Sequence, residues 1–300
     1  MASSMVFVRS AALTHPGRRR PNNEDFVTLY EPVNEEDLAK SGYIYIMADG
    51  VGGASKGERA SQYAAQKILY EYYHHPDIDQ DLRLKKIIRQ VGNEIYEFAH
   101  SQEVFMQMAT TIVVAVIHNG FLKVAHVGDS RAYLVRNDQV VQLTRDHSPV
   151  GEMMRDGVLT EEEAMNFDGR NPLLRSLGGH PNVMVDLTKP IEFNPGDKLL
   201  LVSDGLSRYA SKQNIKDLVE QGPPDDVVYR LIDYANQKGG ADNISVILVE
   251  GVSESEYGED LPKGQVPLPI DWEMISTEPS IYSYKKTVSF KISGKSVLIV

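Results

Sequence analysis

The chain has 300 residues, of which 42% are apolar and 24% charged, so it can bury a globular core and lacks the composition of a disordered or fibrous protein. Its formal net charge of −11 opposes binding to nucleic acid, because that binding depends on Lys and Arg displacing counterions from phosphates. Cysteine is absent, which excludes disulfides and thiolate metal sites and leaves oxygen and imidazole as metal ligands.

The predicted elements are apolar runs rich in β-branched residues and segments with helical periodicity. In chain order they are strand 42–48, helices 55–73 and 84–98, strands 111–117, 121–127, 132–136 and 139–143, a short helix signalled by Thr160 and Glu163, strand 198–203, helices 211–220 and 224–238, and strand 243–250. Asn119-Gly120 is a favoured hairpin turn, which makes its two flanking strands antiparallel. Strands joined in hairpins, with helices inserted in pairs, predict an α+β fold rather than a parallel βαβ sheet.

The composition changes after Val252, where Ser, Glu, Gly and Pro are frequent through about Pro269. We therefore predict a globular domain over residues 1–252, and a linker with a C-terminal extension over residues 253–300. Five apolar residues of the extension share one face of a strand-period run: Tyr282, Tyr284, Val288, Phe290 and Ile292. Gly294-Lys295 could turn this run into a β-hairpin, and the alternative is that it begins a longer segment such as a membrane anchor.

Aspartates recur beside the apolar strand runs. They are Asp49, Asp129, Asp204 and Asp242, with Asp25 following Glu24 just before another strand-like run. A single Asp-Gly pair is ordinary turn chemistry, so only the repetition of the pattern points to a site. A carboxylate that follows a fully apolar strand, as Asp204 does, costs stability unless it meets a cation. Clustered carboxylates suit Mg²⁺, Mn²⁺ or Ca²⁺, and paired ions of this type promote displacement at phosphorus.

Six segments then occur in a recognisable order. They are Arg20-Pro21-Asn22-Asn23-Glu24-Asp25, Ala48-Asp49-Gly50-Val51-Gly52-Gly53, Val127-Gly128-Asp129-Ser130-Arg131-Ala132, Leu143-Thr144-Arg145-Asp146-His147-Ser148, Leu201-Val202-Ser203-Asp204-Gly205-Leu206 and Gly240-Ala241-Asp242-Asn243-Ile244-Ser245. Together they resemble the motif set of the type 2C (PPM) protein phosphatases over about residues 13–249. The segment 171–178 resembles the bacterial branch of that family.

The resemblance implies a central sandwich of two antiparallel β-sheets flanked by pairs of α-helices. It also implies metal-dependent hydrolysis of phosphoserine and phosphothreonine in proteins by a metal-activated water, without a phosphoenzyme intermediate. Two Mn²⁺ or Mg²⁺ ions would be tightly bound, with a third, weaker ion. The tight ions would be held by Asp49, Asp204 and Asp242 directly, by Gly50 through its backbone carbonyl, and by Asp25 through a water.

The resemblance assigns further roles around these ligands. Asp129 would hold the third ion together with Asp204, and Asn243 would support the ligand next to it in the chain. Arg20 would clamp the substrate phosphate, a task suited to its planar fork of donors. Glu24 would lie beside Asp25 at the same site.

The sequence departs from the family pattern at the general acid. Family members often carry a His just after the Asp-Gly pair or a few residues on, but here Val51 and Ala54 occupy those positions. The general acid is therefore unassigned. We expect His126, in an apolar strand, to be a core residue and His147 to be structural. Ala109 stands where a Gly usually precedes the Thr pair, a loss of backbone freedom that we expect to be tolerated.

Two other classes of function would leave a different mark on the sequence. A kinase or nucleotide hydrolase would need a phosphate-binding loop of the Gly-x-x-x-x-Gly-Lys-Ser/Thr type, which the chain lacks. A binding module on the same fold would usually lose ligand carboxylates, and all of them are present.

Partners and location follow from the resemblance and the composition. The expected partners are phosphoserine and phosphothreonine proteins that a partner kinase produces, with no nucleic acid. No stretch approaches the ~20 apolar residues of a membrane-spanning helix, so we expect no membrane segment in this chain. We expect a monomer in the cytoplasm.

Overall fold

The computed structural model describes residues 6–32, 34–51, 56–76, 79–101, 108–167, 171–257, 269–270, 272, 291–292 and 295–296. The strands are β1 (Phe7–His15), β2 (Asp25–Tyr30), β3 (Tyr43–Val51), β4 (Ala109–Thr110), β5 (Ile112–His118), β6 (Phe121–Val127), β7 (Arg131–Arg136), β8 (Gln139–Gln142), β9 (Asp186–Leu187), β10 (Ile191–Glu192), β11 (Lys198–Val202), β12 (Ile244–Val252), β13 (Lys291–Ile292) and β14 (Lys295–Ser296). The helices are α1 (Glu35–Ser41), α2 (Lys56–His74), α3 (Gln80–Ser101), α4 (Pro149–Arg155), α5 (Glu161–Met165), α6 (Asp204–Ser207), α7 (Lys212–Val219), α8 (Pro224–Gln237) and α9 (Glu254–Tyr257).

Two antiparallel sheets form the centre of the fold. One has the order β1-β12-β11-β7-β8, and the other has the order β10-β6-β5-β3-β2. Inward-facing side chains of both sheets, such as Tyr45 and Leu201, share one apolar core. The outer face of one sheet packs on α2 and α3, and the outer face of the other packs on α7 and α8. The predicted α+β sandwich with paired helices on each side is confirmed.

Alternation along the strands decides which side chains enter which layer. In β3, Tyr45 and Met47 point between the sheets, while Ile44 and Ile46 point toward the helices. Because both faces of β3 are covered, the strand reads as a continuous apolar run in the sequence. The Asn119-Gly120 turn between β5 and β6 has positive φ at both residues, as a type I′ turn requires.

Some elements were not predicted. β1 lies at the edge of its sheet and pairs with β12 along its whole length, from Phe7 opposite Val252 to His15 opposite Ile244. The polar stretch after β8 contains α4 as well as the expected short helix α5, whose capping box is formed by Thr160 and Glu163. α1 was missed because its sequence is mostly polar.

The C-terminal extension is described in part. β13 and β14 pair antiparallel, with Ile292 opposite Lys295. The other residues named for the hairpin face, and 297–300, lie outside the described residues, so the extent of the hairpin stays a prediction. Within the described part of the chain, no helix combines the length and the apolar character needed to cross a membrane.

Candidate active site

The first pair of predicted site residues meets where β2 begins and β3 ends. Asp25 lies directly opposite Asp49 in the antiparallel register. Facing residues of such a pair have Cβ atoms about 4.5–5.5 Å apart, so two like charges are held close together. The Thr111 hydroxyl lies 3.0 Å from the backbone N of Asp49, and the Thr111 N–H donates to the Asp49 carbonyl at 2.9 Å. The carboxylate of Asp49 is therefore carried on a fixed backbone.

The second pair is brought together by a close approach of two backbones. Asp204 opens α6 directly after β11, and Asp242 precedes β12. Between them, a Cβ on Gly205 would lie only 1.9 Å from the carbonyl oxygen of Asn243, so only glycine fits there. The two chain segments can touch, and their aspartates face the same site.

The side chain of Asn243 holds the loop before β2 against this site through three hydrogen bonds. Its amide nitrogen donates to the carbonyls of Pro16 and Asn22, at 3.0 and 2.8 Å, and its amide oxygen accepts from the backbone N–H of Glu24 at 2.8 Å. The loop carries Arg20, whose guanidinium donates to Asp242 Oδ2 at 2.7 Å. The side chain of Arg20 is 51% exposed, so it lies at the mouth of the site and can reach a ligand from solvent.

Gly50 is as constrained as Gly205. A Cβ at this position would lie 2.3 Å from the backbone carbonyl oxygen of Gly57 in α2. The N–H of Gly50 donates to the carbonyl of Glu24 at 3.1 Å. The first turn of α2 therefore packs directly against the loop that carries Asp49. The Ser61 hydroxyl, one turn further along α2, donates to the carbonyl of Glu24 at 2.6 Å.

Three carboxyl groups of this cluster, those of Asp25, Asp49 and Asp204, bind protons more tightly than free carboxyl groups do. Burial raises the pKa of Asp25 to about 7, with Asp204 and Asp242 adding to the rise and the Ser245 hydroxyl, which donates to Asp25 Oδ2 at 2.7 Å, opposing it. Burial raises the pKa of Asp49 well above its usual range, and the surrounding aspartates act in the same direction. The pKa of Asp204 is raised by burial and by Asp242. Such shifts in one cluster indicate that the negative charges outweigh the neighbouring positive charges of Arg20 and Arg208.

Asp129 lies at the edge of the same cluster, in the turn between β6 and β7. Burial raises its pKa to about 8, with the negative charges of Asp204 and Asp146 adding to the rise. The preceding Gly128 is fixed on both sides by His147, whose N–H donates to the Gly128 carbonyl at 2.9 Å and whose Nδ1 accepts from the Gly128 N–H at 3.0 Å. His147 thus orients the turn that presents Asp129, in agreement with a structural role.

A cleft of about 270 Å³ connects Asp129 and Asp204 to the segment between β8 and β9. Its polar walls include Arg131 at the start of β7 and Asp146 in the loop after β8, which form a part-buried ion pair at 2.7 Å. Its apolar wall comes from α4, α5 and the residues after them: Val150, Met154, Ala164, Met165 and Phe167. A side chain bound beside the aspartates would therefore contact apolar groups on one side.

The donor set fits a hard divalent cation. All of the convergent donors are oxygens, and Asp25 Oδ1 is a buried atom without a hydrogen-bond partner. The repulsion among the carboxylates would be relieved by cations. Among the described residues, three ligand-capable side chains come within 4.8 Å of one another in one place, at His126, His147 and Asp186, and not within the aspartate cluster. A two-ion site spreads its ligands over a wider space, since its ions lie about 3.5–4 Å apart.

The histidine and aspartate group is a possible metal site on distance alone, but the protein already supplies a cation there. Arg175 Nη1 lies 2.9 Å from Asp186 Oδ1 and 3.3 Å from His147 Nε2. His126 is buried, and burial lowers its pKa to about 4, so it is neutral at physiological pH. An ion at this position would have to displace the guanidinium of Arg175. The expected core position of His126 agrees with its burial.

Three functional partners were not anticipated from the sequence: Ser245, Thr111 and Arg208. Ser245 supports Asp25, Thr111 supports Asp49, and Arg208 pairs with Asp204 at 3.0 Å. Of these three contacts, only the ion pair between Asp204 and Arg208 had a signal in the sequence, namely the four-residue spacing that brings two side chains together on a helix.

Comparison with known proteins agrees with this geometry. Residues 33–248 match the profile of the family described as protein phosphatase 2C. The chain belongs to this family. It is 36% identical over 245 residues to the serine/threonine phosphatase stp of Listeria innocua, covering 79% of this chain and 93% of that protein. It is 34% identical over 245 residues to the protein phosphatase PhpP of Streptococcus pneumoniae, covering 79% and 95%.

Solved structures of protein phosphatases superpose on the same region. The serine/threonine phosphatase of S. agalactiae matches with a TM-score of 0.72 and 33% identity, over 81% of this chain and 99% of that one. The catalytic domain of the phosphatase PstP, solved in complex with two manganese ions, matches with a TM-score of 0.70 and 29% identity, over 83% and 100%. The bacterial branch inferred from the motifs is confirmed, and the chain is an enzyme of the protein phosphatase 2C family.

Proposed function

We propose that this protein hydrolyses phosphoserine and phosphothreonine in proteins, with divalent cations as cofactors and without a phosphoenzyme intermediate. The observation that carries the proposal is the convergence of Asp25, which is buried, with the half-buried Asp49, Asp129, Asp204 and Asp242. Their like charges lie close together, and cations between them would relieve the repulsion. Mn²⁺ or Mg²⁺ suits this oxygen donor set, and the PstP relative was solved with manganese.

Each residue of the cluster has a separate task in this proposal. Asp49, Asp204 and Asp242 would hold two ions, with the Gly50 carbonyl as a further donor and Asp25 acting through a water. When bound, the ions would activate a water and offset the charge of the phosphate. Ser245 keeps one oxygen of Asp25 occupied, so the other oxygen is the one available to the site.

Arg20 would bind the phosphate of the substrate. Its guanidinium donates a hydrogen bond to Asp242 at 2.7 Å. The negative charges of Glu24 and Asp204 also stabilise its positive charge. Cation binding at Asp242 would weaken this ion pair and free donors of Arg20 for phosphate oxygens. Glu24 lies in the same loop as Arg20, and burial raises the pKa of the Glu24 carboxyl.

No side chain is assigned as the acid that protonates the leaving oxygen. Val51, at the position where relatives often carry His, is 40% exposed and has no proton to give, and Ala54 lies outside the described residues. We propose that Asp129 and Asp204 would hold a third, weaker ion, which would supply an acidic water for the leaving oxygen.

The physiological setting is proposed on the resemblance alone. The substrates would be phosphoproteins made by a partner serine/threonine kinase, in a signalling pathway of the cytoplasm, and the enzyme would act as a monomer. The apolar wall of the cleft would contact residues next to the phosphorylated one.

A phosphopeptide assay tests this function. Phosphate release from a phosphothreonine peptide should appear with Mn²⁺ and disappear with excess EDTA. The same assay with p-nitrophenyl phosphate controls for peptide binding, because that substrate needs only the metal and phosphate sites. Absence of Mn²⁺-dependent release from both substrates would contradict the proposal.

Arg20→Ala should weaken substrate binding more than it slows the bound substrate. We expect KM to rise about tenfold or more, because a charge-assisted bond to phosphate is lost, while kcat falls less. Mn²⁺ affinity, measured by calorimetry, should be kept or rise by a small factor, because Arg20 competes with an ion for the carboxylate of Asp242. Arg155→Ala, which removes an exposed arginine of α4, is the matched control. Unchanged kinetics in Arg20→Ala would mean that the phosphate is held elsewhere.

Asp129→Ala should separate the third ion from the tight pair. The variant should still bind two ions but hydrolyse phosphopeptide about a hundredfold more slowly, the scale of losing proton transfer in the transition state. The alternative is that Asp129 only caps its turn, in which case stability falls by about 1 kcal/mol with no change in rate. Calorimetric metal titration and thermal melting of the same sample distinguish the two outcomes.

A further inference from the structure

The C-terminal extension returns to the domain after it leaves the sandwich. It starts beyond β12 with α9, where Tyr257 packs on Phe7 of β1 at a ring distance of 4.7 Å. It then contacts the opposite layer, because Ile270 is 8% exposed and belongs to the core between α2, α3 and their sheet. The two attachments therefore lie on different layers, one on the five-stranded sheet and one on the helices over the other sheet.

Trp272 occupies an aromatic slot on α2 and α3. Its ring stacks on Tyr63 at 3.9 Å with an interplanar angle of 11°, and on Phe98 at 4.2 Å with an angle of 13°. The indole is thus enclosed between two near-parallel aromatic rings, and each stacked pair adds to the stability of the contact. Because the chain contains a single tryptophan, the anchor is also unique in the sequence.

Arg59 closes one end of the slot. Its guanidinium lies 5.5 Å from the ring centre of Phe98, within the range of a cation–π contact, and Nη2 lies 3.5 Å from the backbone oxygen of Trp272. The slot therefore offers two aromatic faces and one cation, which match an indole and its carbonyl. Pro269, just before the anchor, limits the number of conformations that the segment loses on docking.

The same turns of α2 support the active site on their other side. Gly57 and Ser61, four residues apart, contact Gly50 and Glu24. Arg59 and Tyr63, also four residues apart, lie two positions further round the helix and contact Trp272. A helix turn held from outside by the anchor is less free to move away from the loop that carries Asp49.

We propose that the face formed by Arg59, Tyr63 and Phe98 is a docking surface for the chain's own C-terminal extension, anchored by Trp272, and that docking holds the start of α2 against the active site. The occupant is the segment containing Ile270 and Trp272 of the same chain. The effect on activity rests on the proposed function, whereas the docking itself does not.

Tryptophan fluorescence of the full-length protein tests the docking. In the wild type, the emission of Trp272 should be that of a shielded indole, with little quenching by acrylamide. Phe98→Ala should shift the emission to the red and increase quenching. Tyr96→Ala, on the same helix but in contact with the ring of His100, should leave both unchanged. Circular dichroism confirms that each variant is folded. A fully quenchable wild-type indole, or no response to Phe98→Ala, would overturn the proposal.

A dilution series shows whose extension fills the slot. Emission that is independent of protein concentration is the expected result for docking within one chain. A red shift on dilution would mean that the extension comes from a second copy, and it would overturn docking within the chain.

Trp272→Ala tests the link to the active site. The melting temperature should fall by about 4 °C or more, since aromatic contacts are lost, and the Mn²⁺ concentration for half-maximal activity should rise roughly threefold or more. A normal Mn²⁺ requirement together with a lowered melting temperature would overturn the link while leaving docking in place. If the wild type has no phosphatase activity, the proposed function fails, and fluorescence still decides the docking.

Discussion

Replacing Asp204 by alanine should reduce Mn²⁺-dependent phosphopeptide hydrolysis by about a hundredfold or more, because the proposed metal site would lose one of its carboxylate ligands. Asp204 lies at the start of α6, facing Asp242 and within the same charged cluster as Asp49. Without it, the remaining carboxylates have fewer cations between them and repel one another. The initial rate at saturating Mn²⁺, measured beside the wild type, checks this expectation.

Asp217→Ala is the matched control for Asp204→Ala. Asp217 is an exposed aspartate of α7 whose side chain accepts a hydrogen bond from Gln213, so its removal changes the net charge equally without touching the site. Its rate should stay near that of the wild type. If Asp204→Ala keeps more than about a tenth of the wild-type rate at saturating Mn²⁺, the two-ion account is wrong.

Replacing Gly205 by alanine should damage both stability and activity. The added Cβ would overlap the Asn243 carbonyl oxygen, at a distance of 1.9 Å, so the segments that carry Asp204 and Asp242 must move apart. Overpacking against a fixed backbone typically costs about 1–3 kcal/mol, and we expect the upper end of that range. Thermal melting should show a decrease of about 6–12 °C for a domain of this size.

Gly196→Ala is the control for Gly205→Ala, because it introduces backbone strain without a steric clash. Gly196 has a φ of +90°, and a Cβ there would meet nothing within 4 Å, so alanine costs only the left-handed conformation, about 1–2 kcal/mol. We expect Gly196→Ala to keep wild-type activity per folded molecule and Gly205→Ala to lose it. Equal activity in the two variants would show that the contact between Gly205 and Asn243 does not position the aspartates.

The central strands and the aspartates at their ends could be predicted from the sequence because both follow from the burial of these strands. A strand buried on both faces, such as β11, must be apolar along its length, so a charged residue right after it is conspicuous. The edge strand β1 has no such pattern. Ser10 is buried in β1 because its hydroxyl donates to Glu31 Oε1 at 2.6 Å, a contact that depends on distant residues.

The supporting residues of the site were hidden for a similar reason. Ser245 is an ordinary polar residue in the sequence. It matters because its hydroxyl contacts Asp25, while the register of β1 and β12 places it opposite Thr14, whose hydroxyl lies 2.7 Å from its own. The linker composition after Val252 gave no indication that Ile270 would be buried, since its burial depends on joining the core cluster formed by α2, α3 and their sheet. Contacts set by tertiary packing leave no local signal.

The most direct test of the account is a count of the ions that the aspartate cluster binds. The protein is stripped with EDTA, dialysed and titrated with Mn²⁺ in a calorimeter, and phosphopeptide hydrolysis is followed on the same samples. We predict at least two bound ions per chain in the wild type, with hydrolysis appearing as the second ion binds, and loss of this stoichiometry in Asp204→Ala. Full activity with one bound ion or none would contradict the account.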